Sequence, residues 1–140
     1  SFAHSLNSAI YEYIKYSTGA SEISTPAIDI FNSKKGVCQD FAHLMISSSI
    51  YAGIPARYVV GYLLPSDKNS QATHAWVELF FEDIGWIAFD PSNNSCTNER
   101  YLRICSGFDS ISAAPIKGVA IGSSDEELDV KESVQQIPQQ

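Results

Sequence analysis

The feature that most constrains this chain is a change of hydrophobic period at Gly53-Ile54-Pro55. Before that point apolar residues recur at helical spacing. Leu6, Ile10, Tyr13 and Ile14 mark one stretch, and Phe41, Leu44, Met45 and Ala52 mark another, with Ser48 between them. After it the chain turns extended. Arg57–Leu64, His74–Phe81 and Gly85–Phe89 are dense in branched and aromatic residues and read as strands. Helices followed by consecutive strands predict an α+β domain, with N-terminal helices packed on a largely antiparallel sheet.

Local signals sharpen the boundaries. Thr25-Pro26 offers a helix start, with Thr25 as cap and Pro26 in the first helical position; Ala27, Ile30 and Phe31 give that short helix an apolar side. Lys34-Lys35-Gly36-Val37 leads into a longer helix that opens at Cys38, and Gly36 is expected to let the backbone turn sharply there. Gly53 suits the left-handed residue after that helix, and Pro55 blocks its continuation. Pro65–Ala72 reads as a polar loop, Glu82-Asp83-Ile84 as a tight connection and Tyr101–Cys105 as a further short strand. Leu128, Val130 and Val134 share the parity of an edge strand that Glu132 interrupts. Residues 1–122 thus form the expected core, and 123–140 an acidic, polar segment of the same domain.

A length of 140 residues suits one domain. The net charge of -7 argues against nucleic acid or an anionic membrane as partner, since both require a basic surface. Part of that charge sits in Asp125, Glu126, Glu127 and Asp129. No apolar run is long enough to span a bilayer and no leader is visible, so a cytoplasmic protein is expected. The chain does not begin with Met, which suggests a segment of something longer. The cysteines are Cys38, Cys96 and Cys105, an odd count; pairing of Cys96 with Cys105 stays open. No CxxC or HxxxH occurs, so neither a metal nor a cofactor is expected.

Three residues carry the chemistry. A thiol attacks a carbonyl effectively only as thiolate, a form favoured by a helix N-terminus and by a nearby imidazolium. Cys38 stands at such a helix start. His74 opens a strand after a polar loop, and Asp90, before Pro91, ends the next one. Each alone has an ordinary alternative: a small core cysteine, a surface histidine, an aspartate that starts a turn. The hairpin joins two of them. With Glu82–Ile84 as its loop His74 lies diagonal to Asp90; with Phe80–Ile84 the two are directly opposite. Either register brings carboxylate to imidazole, whereas an even loop breaks the pairing.

The blocks Gly36-Val37-Cys38-Gln39-Asp40-Phe41-Ala42, Gly53-Ile54-Pro55-Ala56-Arg57-Tyr58-Val59-Val60-Gly61-Tyr62, His74-Ala75-Trp76-Val77-Glu78 and Gly85-Trp86 with Asp90-Pro91-Ser92 together resemble the bacterial transglutaminase-like family, in the family's order. The resemblance covers about Lys34 to Asn93; Ser92 stands where threonine is common. It implies a papain-like core with a Cys-His-Asp triad, mapping onto Cys38, His74 and Asp90, and a domain upstream of that core which is absent from this chain.

In those roles His74 takes the Cys38 proton, Asp90 steadies the ring, and the Cys38 backbone N–H donates to the oxyanion, with Gln39 and Asn32 as candidates for a second donor. Trp76 is a candidate wall of the substrate cleft. The expected partner is a peptide or protein amide, and hydrolysis is at least as expected as cross-linking. A zinc site and a catalytically inactive binding module are the rival classes. His43 and Trp86 read as packing, Arg57 as an ion-pair or hydrogen-bond anchor, Asp40 as a carboxylate on the helix dipole and His4 as exposed.

Overall fold

In the computed structural model, residues 1–22, 25–64 and 73–115 are described. Around helix α3 (Cys38–Tyr51) the other elements are laid. Its buried residues are Asp40, Phe41, Ala42, Leu44, Met45, Ile46 and Ser49, more than one face of a helix. The wider burial has a simple cause, because α3 is covered from two sides. Helices α1 (Phe2–Tyr13) and α2 (Ala27–Ser33) pack on it with Ala3, Ile10 and Ile30, and a sheet packs on it with Ala75, Val77, Leu79 and Phe89. Ala52, expected on the apolar face, is exposed because the helix has already ended. Gly53 follows at φ +79°, and its N–H donates to the Ile50 carbonyl, as the left-handed turn requires.

That sheet is antiparallel and five-stranded. Strands β3 (Ala56–Leu63), β4 (Thr73–Phe81), β5 (Gly85–Asp90), β6 (Ser95–Cys96) and β7 (Tyr101–Gly107) lie in the order β6-β5-β4-β3-β7. Phe81 pairs with Gly85 and Val77 with Phe89, so the hairpin loop is Glu82–Ile84. The same register carried one step further sets Trp76 opposite Asp90 and His74 diagonal to it. Alternation sends Ala75, Val77 and Leu79 into the core with α3, and His74, Trp76 and Glu78 to the other face. On that second face Arg57 pairs with Glu78 at 2.5 Å while stacking on Trp86 at 4.0 Å, and Arg103 reaches the same carboxylate at 3.2 Å. Arg57 is thus the anchor its position suggested.

Pairing of β3 with β7 shifts register between Val60 and Gly61. A Cβ on Gly61 would lie 2.0 Å from the Leu102 carbonyl oxygen and 2.7 Å from the Trp76 ring. Only a residue without a side chain lets β7 and Trp76 come this close.

Two expectations about helix starts are corrected. Pro26, not Thr25, is the cap of α2: its carbonyl accepts the Asp29 N–H, while Thr25 Oγ1 accepts the Glu22 N–H and closes a turn before the helix. Gly36 is not in a left-handed conformation. It is small for another reason, since a Cβ there would meet Asp40 Cβ at 2.7 Å. The sequence also gave no sign of a two-stranded parallel ladder formed by β1 (Lys15–Tyr16) and β2 (Lys35–Gly36). The loop expected at Pro65–Ala72 and the edge strand at Leu128–Val134 lie outside the described residues. Among the described residues no helix is long and apolar enough to cross a membrane.

Candidate active site

Cys38 is the first residue of α3, and the turn that delivers it is tied down from below. Asp40, only 1% exposed, folds its carboxylate back to accept the Val37 N–H at 2.7 Å and the Ser21 hydroxyl. A carboxylate here satisfies a free N–H of the first turn and complements the helix dipole. Gly36 leaves room for it. Tyr16, next to Gly36 in the β1–β2 ladder, holds its phenol beside Cys38, whose backbone N–H favours the ionised phenol. Burial and the neighbouring Cys38 raise its pKa, so the phenol keeps its proton.

At the start of β4, His74 stands beside Cys38, whose side chain favours the charged form of the ring. Its Nε2 lies 2.6 Å from Asp90 Oδ2. With Nε2 occupied, Nδ1 is the ring nitrogen left for the sulfur. Burial of His74 disfavours its charged form, but the hydrogen bond to Asp90 and the neighbouring Cys38 outweigh it and lift the pKa to about 9.

Asp90 is fully buried, and its two oxygens divide the work. Oδ1 accepts the Ser92 N–H at 3.0 Å and the Ser92 hydroxyl at 2.7 Å, which forms the turn expected of an aspartate before proline. Oδ2 accepts from His74, from Asn93 Nδ2 at 2.7 Å and from the Tyr101 hydroxyl at 2.9 Å. Burial raises the Asp90 pKa; the bonds from His74, Asn93 and Ser92 more than reverse that and leave it below the usual range. The turn is also held from outside. Asn94, at φ +49°, accepts from Asn7 and Ser8 of α1.

The residues read from the sequence as Cys38, His74 and Asp90 therefore meet at one place. Other candidates do not join them. The Gln39 amide donates to the Glu22 carbonyl at 3.2 Å, and Asn32 is exposed on α2. Trp76 is 2% exposed and cannot wall a cleft. It instead backs the histidine, its ring 6.1 Å from that of His74 and 5.4 Å from Tyr101 in an edge contact. His43 packs on Tyr58 and accepts the Ser110 N–H, consistent with packing. All three cysteines are unpaired. Among the described residues no cluster of metal-ligating side chains occurs. Tyr16, Asn93 and Tyr101 were missed by the sequence reading. Asn93 and Tyr101 could have been suspected, since Asn93 follows the Asp-Pro-Ser turn and Tyr101 heads a strand.

The profile of the transglutaminase-like superfamily matches residues 1–91, more than half of the chain. The chain belongs to the transglutaminase-like superfamily. An uncharacterised protein of Mycobacterium leprae is 35% identical over 123 residues, covering 84% of this chain and 43% of that protein. A crystallised candidate cysteine protease from Cytophaga hutchinsonii superposes with a TM-score of 0.71 at 32% identity, covering 80% of this chain and 37% of the other. A protein-glutamine gamma-glutamyltransferase of Pseudomonas aeruginosa is 35% identical over 71 residues, 45% of this chain and 11% of that enzyme. This transglutaminase-like chain spans less than half the length of these relatives. The α+β architecture with an antiparallel sheet is the one predicted from the order of helices and strands, and it agrees with the family to which the resemblance pointed.

Proposed function

We propose that this chain is a cysteine acyl-transfer enzyme that cleaves an amide bond through a thioester, with Cys38 as nucleophile, His74 as acid and base, and Asp90 as the group that orients the ring. The observation that carries this reading is the 2.6 Å contact between His74 Nε2 and a buried carboxylate, on a ring whose proton affinity Cys38 also raises. Its likeness to a candidate cysteine protease supports the same class.

In the resting pair His74 holds the Cys38 proton, and Asp90 balances the imidazolium charge. The sulfur attacks the amide carbon, and the carbonyl electrons move onto oxygen. The Cys38 backbone N–H donates to that oxyanion, which takes the place of the Tyr16 phenol oxygen that borders it in the free chain. Tyr16 is the second donor: its phenol stands beside Cys38 and retains a proton to give. Collapse expels the amine, which takes its proton from His74 and leaves a thioester. Water, deprotonated by His74, then attacks the thioester carbon, releases the acid and restores the thiolate–imidazolium pair.

Hydrolysis is the preferred outcome because solvent reaches the site. The His74 side chain is 14% exposed and Tyr16 51%. The P. aeruginosa glutamyltransferase favours a second reading, in which an amine replaces water. Incubation with a peptide library, with and without a primary amine, separates the two by mass spectrometry. Free acid should dominate in both cases. Amine incorporation outrunning acid formation would overturn the preference for hydrolysis, and failure of Cys38→Ala to abolish both would remove the mechanism.

A further inference from the structure

A groove of about 560 Å³ opens beside the candidate site and is bordered by Tyr16 and Ser92, which touch Cys38 and Asp90 respectively. Its walls carry Lys15, Lys34 and Lys35. These are all the lysines among the described residues of a chain whose net charge is -7. Glu12 is the single carboxylate among the lining residues.

The lysines are not placed at random. Lys15 and Lys35 are register partners in the β1–β2 ladder, so two ammonium-bearing side chains leave neighbouring positions. Like charges side by side destabilise a ladder. None of the ion pairs among the described residues takes up a lysine to relieve this. Lys34 caps α2 in a left-handed conformation at φ +56°, and its Nζ stands 4.8 Å over the Tyr13 ring, which itself stacks on Phe31. That cation–π contact limits where the ammonium can go. An anionic ligand would relieve the repulsion that the free protein carries.

We propose that this groove is a substrate subsite for an acidic peptide segment flanking the scissile amide, with its carboxylates held by Lys15, Lys34 and Lys35. The inference rests on the acyl-transfer reading, and names the class of substrate that such an enzyme takes. Charge alone across the whole chain would favour the opposite preference, because a protein at -7 repels an acidic peptide.

The test uses the Cys38→Ala chain, so that binding is read without turnover. A fluorescein-labelled octapeptide alternating glutamate and alanine is compared with its serine counterpart by fluorescence anisotropy. The acidic peptide should bind roughly ten-fold more tightly at low salt, and the advantage should fade in about 0.5 M NaCl. The triple variant Lys15→Gln, Lys34→Gln, Lys35→Gln should remove it. In the parent chain the acidic peptide should also slow alkylation of Cys38 by iodoacetamide. Equal binding of the two peptides, persistence of the preference in the triple variant, or binding without protection of Cys38 would each overturn the subsite. Amide turnover with no preference for acidic peptides defeats the subsite alone. Charge-dependent binding and protection without any amide turnover defeats the acyl-transfer reading alone.

Discussion

Asp90 shows how much of the candidate site is spent on holding one residue. Its carboxylate accepts five hydrogen bonds, from the His74 ring, the Ser92 N–H and hydroxyl, the Asn93 amide and the Tyr101 hydroxyl. A buried ion is tolerated only when it is paired and hydrogen-bonded in this way. Burial, the largest influence on Tyr101, lifts its pKa to about 12, so at neutral pH its hydroxyl donates to Asp90. Tyr101→Phe should therefore lower kcat about three- to ten-fold with KM nearly unchanged, the loss expected for one net hydrogen bond. Steady-state kinetics on a peptide found in the library screen checks this; a change confined to KM would place Tyr101 in substrate binding instead. From the chain alone His74 and Asp90 could be placed together, because strand parity and a three-residue loop decide which side chains share a face. Tyr16 could not. Its contact with Cys38 depends on a two-residue parallel ladder that leaves no periodicity to read.

The start of α3 is the element on which the proposed nucleophile depends. Asp40 lies where a carboxylate favours the helix dipole, which the sequence indicated. That it is buried and bonded to the Val37 N–H and the Ser21 hydroxyl was not legible, because Ser21 is distant in sequence. Asp40→Ala removes both bonds and leaves a donor of the first turn unpaired. It should cost about 1–3 kcal/mol in thermal or denaturant unfolding. Because the same turn carries the Cys38 N–H, turnover should fall further than stability accounts for. Wild-type turnover in a destabilised Asp40→Ala chain would show that the oxyanion donor is positioned by something else. The short helix α2 teaches a related lesson. Thr25 and Pro26 both carry start signals, and a local hydrogen bond from Glu22 to Thr25 decides which of them becomes the cap.

At the scale of the molecule, the α+β order was legible because the hydrophobic period changes once, at Gly53-Ile54-Pro55. The breadth of burial around α3 was not, because covering from two sides is a property of the packed whole. Titration also acts at this scale. His74 binds its proton more tightly folded, at about 9, than unfolded, where imidazole titrates near 6.5. Its contribution to stability is therefore complete below about pH 6.5 and is lost as pH rises through about 9. Thermal unfolding should show a fall in Tm between about pH 7 and 10 that His74→Gln flattens; an equal fall in both chains would contradict the assignment.

The central claim, that Cys38 works as one half of an ion pair with His74, is tested most directly by competition among the chain's own thiols. Cys96 is exposed whereas Cys38 is only half-exposed, so access alone favours alkylation of Cys96. Limiting iodoacetamide at pH 6.5, followed by mass spectrometry of each cysteine, should show Cys38 modified first, and His74→Ala should reverse the order. Preferential modification of Cys96 in the unaltered chain would contradict the account.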